Sequence, residues 1–227
     1  MDFNINVHHV LHIGGIEIWI TDTLYVMAGI MLILIAFAVV VRIKLNKFSE
    51  VPTGFQNFVE LIVETFENFV KGSAGAKLSW VGGWYFTVFS FLLIANMSGI
   101  IGFVRPPTAD WTVPFALAAV TIILMFFCGI RYQGMNYIKG LCKPIFIFFP
   151  INVFGEMSKA ISLSFRLFGN VIGGMILVSL VYAIAPMVLA MFLPVVLHIY
   201  FDIISGALQA FVFTVLGLTY LGLASSD

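Results

Sequence analysis

The chain has 227 residues, of which 61% are hydrophobic and only 10% charged, and its mean hydropathy is +1.09. A water-soluble domain carries about 25% charged residues, so the composition excludes an ordinary globular enzyme and indicates a polytopic membrane protein. Eleven basic and eleven acidic side chains cancel to a formal charge of zero, which leaves no broad basic field for nucleic acid.

The first 22 residues carry Asp2, Glu17, Asp22 and three histidines but no Lys or Arg. That is the wrong charge pattern for a cleavable signal peptide, and the segment reads as a retained external terminus. Runs without a charged residue follow at 23–41, 78–104, 111–130, 167–201 and 203–226. About 20 helical residues cross roughly 30 Å of hydrocarbon, so each of the first three runs spans once. Arg42, Lys44, Lys47, Lys71 and Lys77 lie between the first and second spans, and Arg131, Lys139 and Lys143 follow the third. The loop between the second and third holds only Arg105. The basic excess places the N-terminus outside and the other two loops in the cytoplasm.

Residues 51–71 differ from the spans. Pro52 can open a helix, and Phe55, Phe58, Val59, Ile62, Phe66, Phe69 and Val70 recur at helical spacing opposite Glu60, Glu64 and Glu67. The pattern predicts an amphipathic helix on the membrane surface, with a soluble helix packed against a loop as the alternative. Beyond Pro144, a single helix over 151–182 extends about 48 Å and one over 195–223 about 43 Å, both longer than the hydrocarbon is thick. The C-terminal half (144–183 and 194–224) therefore reads as a hairpin of two inclined helices, and five crossings return the C-terminus to the cytoplasm. The fold class expected is an all-α integral membrane protein in a single membrane domain.

Cys128 and Cys142 read as apolar filling rather than a disulfide framework. GxxxxGKS/T, HExxH, GxGxxG and paired CxxC motifs are absent, so neither cofactor, metal centre nor covalent active site is expected. An energy source must then be an ion gradient or another subunit.

The informative residues are the polar ones inside the hairpin. An ionised side chain at the centre of a lipid-facing helix costs at least ~2.5–3.5 kcal/mol on insertion scales, so such groups face protein, water or an opposite charge. Glu156, Lys159, Leu163, Arg166, Asn170 and Gly173 recur every three or four residues and form one stripe. Asp202, Gly206, Gln209 and Phe213 do the same on the second helix, with His198 one turn before Asp202. Arg166 has two readings: an internal salt bridge with Asp202 or Glu156, or a fixed charge without a permanent partner. Arginine does not deprotonate, so the second reading makes it a gate for a moving carboxylate rather than a proton relay. Asp202 can exchange a proton, or simply pair with His198. Glu156 and Lys159 can stabilise each other, and with Asn152 they mark a hydrated entry near the cytoplasmic end. Asn170 and Gln209 can bond water or tie the helices together. Gly169, Gly173 and Gly174 allow close helix approach.

Ser162-Leu163-Ser164-Phe165-Arg166-Leu167-Phe168-Gly169-Asn170 and Leu208-Gln209-Ala210-Phe211-Val212-Phe213 resemble the two most diagnostic segments of subunit a of F-type ATP synthases. Pro52–Glu60, Leu92–Gly99 with Asn96, and Glu156-Met157-Ser158-Lys159 extend the resemblance over about residues 20–223. It implies a stator subunit of the ATP synthase membrane sector, non-catalytic by itself, in the plasma membrane of a bacterium. The implied partners are a rotor ring of small two-helix subunits bearing an ion-binding carboxylate, and a peripheral-stalk subunit. By the same resemblance Arg166 meets each ring carboxylate in turn, and Asn170 and Gln209 border the half-channel open to the outside. Two departures stand out. Met175 occupies a position where the family commonly has Glu or His, and Asp202 stands where it has His or Glu. Gly99-Ile100-Ile101-Gly102 also replaces the family's Gly-Leu-Ile-Pro. The sequence leaves H+ and Na+ both open as the transported ion, and a secondary transporter would require a hydropathy repeat that the chain lacks.

Overall fold

The computed structural model describes residues 7–13, 16–45, 54–101, 105–143, 145–184 and 186–226. Pro52, expected to open the amphipathic helix, lies outside the described residues. The order of elements is β1 (Val7–Ile13), β2 (Ile16–Thr21), α1 (Asp22–Leu45), α2 (Phe55–Ala74), α3 (Gly82–Met97), α4 (Thr112–Gln133), α5 (Met135–Leu141), α6 (Phe149–Ile184), α7 (Met187–His198) and α8 (Gly206–Ser225). Among the described residues, five helical stretches are long and apolar enough to cross a membrane: Asp22–Leu45, Ala76–Ile100, Thr112–Gln133, Phe146–Ile184 and Phe192–Ser225. The all-α reading holds for this membrane portion. The terminal segment departs from it, because β1 and β2 pair antiparallel from Val7 opposite Thr21 to Ile13 opposite Ile16, with a bulge between Val7 and His9. Seven and six residues without proline, several of them β-branched, suit a hairpin.

α1 carries Asp22 in its first turn and Arg42 and Lys44 in its last, matching both helix dipole and interfacial anchoring. Only Thr23 and Ile30 are buried along it, so most of its apolar surface is left for lipid. The packed core lies among α3, α4, α6 and α8, where Tyr85, Leu92, Met125, Leu167, Phe213, Leu218 and Leu221 are buried. Small residues set the approach distances. A Cβ on Gly217 would lie 2.7 Å from the Tyr85 ring, and one on Gly222 would lie 3.1 Å from the Ala74 Cα. α2 thereby docks its C-terminal end on α8, while Phe66 meets Phe86 edge-on at 5.2 Å and Phe69 meets Phe211 at 5.7 Å. Its opposite side carries exposed Glu60, Glu64 and Glu67.

α6 is a single helix of 36 residues, about 54 Å long at 1.5 Å per residue. Pro150 is tolerated because the first turn has no intrahelical partner for its missing N–H. The second arm is more articulated than a continuous α-helix. Chain geometry changes at Ile199–Ser205, a seven-residue π-helix between α7 and α8. There the Gly206 N–H reaches back five residues to the Phe201 carbonyl as well as to Ile203. Such insertions are rare and turn the residues before them relative to those after.

Candidate functional site

Two polar centres lie along α6, one beside its middle at Asn170 and one near its start at Asn152 and Glu156. At one, His198 Nδ1 and an Asp202 carboxylate oxygen are 2.7 Å apart, with 26% and 18% of their side chains exposed. Asp202 sits within the π-helix, and its carboxyl group lies against Gly99 at the end of the second span. A Cβ on Gly99 would meet all three carboxyl atoms at 3.0 Å, so glycine leaves the space that the acid fills. Three residues on, Ser205 Oγ donates to Asn170 Oδ1 at 2.6 Å, which ties the π-helix to α6. The Asn170 Nδ2 is buried and bonded to no described atom. Gly174, one turn beyond on α6, is buried under Phe201; an added Cβ there would lie 2.9 Å from the Phe201 side chain. Gln209 is half-buried on α8.

Arg166 stands one turn before Asn170. Its side chain is exposed and pairs with no described acid. Both acids that sequence allowed as its partners are engaged elsewhere: Asp202 with His198 and Glu156 with Lys159 at 2.6 Å. Phe165 stacks on Trp111 at 5.7 Å between ring centroids, holding this stretch of α6 beside the start of α4. Leu163, Ser164 and Leu167 are buried, whereas Ser162, Phe165, Arg166 and Gly169 face outward. The stripe inferred from spacing therefore changes character along its length, with Leu163 inside the bundle and Arg166 on its outer surface.

At the other centre, Gln133, Tyr137, Asn152, Glu156, Lys159 and Leu223 line a cavity of about 710 Å³. Lys159 bridges this centre, bonded to Glu156 and placed 5.2 Å from the Tyr220 ring centroid. Asn152 has a structural duty that spacing did not reveal: its Nδ2 donates to the Leu141 carbonyl at 2.8 Å and to that of Lys143 at 3.0 Å. The Tyr137 hydroxyl is buried and bonded to no described group. Burial first, and the nearby Glu156 charge second, push its pKa up to about 12.

Sequence reasoning missed two residues here. Ser205 and Thr108 carry hydroxyls that read as ordinary helix and loop residues, and only the fold puts them against Asn170 and Asn96. Cys128 is buried and Cys142 half-buried, both free, and no cluster of metal-ligating side chains occurs among the described residues.

Residues 24–222 match the family model described as ATP synthase A chain. Among curated proteins, the chain is 33% identical over 213 residues to ATP synthase subunit a of Moorella thermoacetica, covering 93% of each chain. It is 36% identical over 188 residues to the chloroplastic ATP synthase subunit a of Stigeoclonium helveticum, covering 78% of this chain and 74% of that one. Against the Geobacter sulfurreducens ATP synthase subunit a it is 32% identical over 198 residues, covering 84% and 82%.

Proposed function

The chain belongs to the ATP synthase A chain family, and from that premise we propose that it is the stator of an ATP synthase membrane sector, gating proton transfer to a rotor ring through Arg166. The observation that carries this reading is the pairing pattern: Arg166 is an exposed cation on a membrane-length helix, while Glu156 and Asp202 are satisfied by other groups. A permanent charge left open on an apolar surface is costly in lipid and useful to an incoming carboxylate.

The steps follow from the chemistry of these groups. A ring carboxylate crosses lipid protonated, because its ionised form carries the insertion cost of ~2.5–3.5 kcal/mol. Opposite Arg166 the ionised form is stabilised, so the proton leaves toward the cavity around Glu156 and Lys159, which serves as the cytoplasmic half-channel. The carboxylate must be re-protonated before it returns to lipid, and His198 with Asp202 supplies that proton from the outer side. Arg166 itself passes no proton, and this separates the two half-channels. Asn170, with its Nδ2 unbonded among the described residues, and Gln209 border the outer path. Each charge crossing 100 mV contributes about 2.3 kcal/mol, and several such steps supply one ATP through rotation.

H+ is the transported ion on this reading. Imidazole and carboxyl in direct contact form a proton-exchanging pair, whereas a hard cation such as Na+ would favour oxygen ligands alone. The five crossings run from an external N-terminus to a cytoplasmic C-terminus, by the basic excess in the loops after α1 and α4, in a bacterial plasma membrane. α2 is the membrane-surface helix of this arrangement, and its acidic side is a docking face for the peripheral stalk.

Cross-linking tests the ring contact. Gly169→Cys lies on the outward side of α6 with nothing within 4 Å of its Cβ position, and in the assembled complex it is expected to form disulfides with cysteines placed beside the ring carboxylate. Ile33→Cys on exposed α1 is expected to form none. Linking from α1 and not from α6 would reject the assignment of the ring face.

A further inference from the structure

Thr108, in the turn between the second and third spans, is fully buried, and Asn96, near the end of α3, is 2% exposed. Thr108 Oγ1 donates to Asn96 Oδ1 at 2.8 Å, and Asn96 Nδ2 donates to the Gly206 carbonyl at 2.9 Å. Gly206 is the first residue after the π-helix. Its carbonyl has a second lone pair to offer beyond the helix ladder, and the Thr108 hydroxyl fixes which end of the Asn96 amide faces it. Close approach is required as well, since a Cβ on Gly206 would fall 2.9 Å from the Asn96 Cβ. Three segments distant in sequence thus converge, dry and satisfied, on the joint from which the π-helix departs.

We propose that Asn96 and Thr108 are positioning residues for Asp202, clamping the π-helix so that its carboxyl group stays over Gly99 and within reach of His198. This rests on the reading of Asp202 as part of the outer proton path. An α-helix is the lower-energy alternative to a π-turn, and reverting to it would shift the register of Asp202 against Gly206 by about one residue. The buried bond from Asn96 to the Gly206 carbonyl, held in place by the bond from Thr108 to Asn96, opposes that reversion. The groups packed around Asp202 and its segment are His198 on the same arm, Gly99 after α3, and Asn170 and Gly174 on α6. Arg166 is the cation one turn from Asn170. Asn96, Thr108 and Gly206 themselves carry no ionisable group, so their influence on proton transfer acts through geometry.

The test is proton pumping and ATP synthesis by the whole complex in proteoliposomes. Thr108→Val keeps the shape and removes the hydroxyl, while Thr108→Ser keeps the hydroxyl. The expected result is a loss of roughly fivefold or more with Val, the factor for about one buried hydrogen bond, and near-normal rates with Ser. In an Asp202→Asn background, Thr108→Val is expected to add nothing, because both changes act on one group. If Thr108→Val prevents assembly, Gly206→Ala strains the same joint from the other side and is measured against the same background, with the same non-additive loss expected. Normal transport with Thr108→Val beside impaired Asp202→Asn would overturn the clamp alone. Loss in Thr108→Val that is not rescued by Ser, or that multiplies with Asp202→Asn, would reduce it to packing and overturn it too. Normal transport with Asp202→Asn would instead remove the underlying path assignment.

Discussion

Asp202 acquires its setting from three unrelated places: histidine one turn earlier, glycine at the end of the second span, and a π-helix that holds both in contact with it. Asp202→Asn retains the shape and removes the proton, so the complex is expected to assemble and to lose most coupled transport in proteoliposomes. Unchanged flux would mean that another group loads the ring. Gly99→Ala tests the same space without touching an ionisable group. A methyl at 3.0 Å from the carboxyl atoms must displace either chain, and transport is expected to fall while the ATP-hydrolysing sector works normally; full activity would show that Asp202 does not need this seat. At the other centre, burial and Glu156 hold the Tyr137 phenol up to about 12 against about 10 when unfolded. A raised pKa on an acid favours its neutral form, so Tyr137 supports folding below about pH 10 and that support is lost as pH rises from about 10 toward 12. Ultraviolet titration compared with Tyr137→Phe should place its ionisation near 12, and ionisation near 10 would contradict the buried placement.

Among the elements, the contact of α3 with α8 depends on a small residue. Gly217 leaves only 2.7 Å between its notional Cβ and the Tyr85 ring, and overpacking of this kind costs about 1–3 kcal/mol. Gly217→Ala is expected to lower the thermal stability of the purified subunit in detergent, whereas Gly29→Ala on α1, with nothing within 4 Å, should leave it unchanged. The spans themselves were readable from the sequence, because hydrocarbon thickness dictates run length and charge-free runs coincide with α1, α4 and much of α3. The length of α6, which exceeds the hydrocarbon thickness, was readable instead from the lack of a proline between Pro150 and its end. The π-helix was not, since Ile199–Ser205 has the apolar content of an ordinary helix and its contacts, Ser205 with Asn170 and the adjoining Gly206 with Asn96, come from distant segments. The hairpin of β1 and β2 was legible but not read, since Gly14-Gly15 alone separates the two β-branched runs and a Gly-Gly pair between such runs is a hairpin signal. At the site, spacing predicted the contacts of His198 with Asp202 and of Lys159 with Glu156, both local to one helix. Contacts between distant segments, such as Ser205 with Asn170, needed the fold.

As a whole, the described residues place two polar centres along the C-terminal helix pair, with the exposed Arg166 between them on α6. In the proposed mechanism a moving carboxylate from another chain connects the two centres. In that mechanism the Arg166 charge couples proton transfer to rotation. The most direct measurement is ATP synthesis under an imposed proton gradient by proteoliposomes carrying the Arg166→Gln complex, with subunit content checked beside the unaltered complex. Glutamine preserves hydrogen bonding and removes the charge. Full assembly, normal nucleotide hydrolysis by the detached catalytic sector, and synthesis at background are expected. Synthesis within about twofold of the unaltered complex, a barrier change under about 0.5 kcal/mol, would contradict that mechanism.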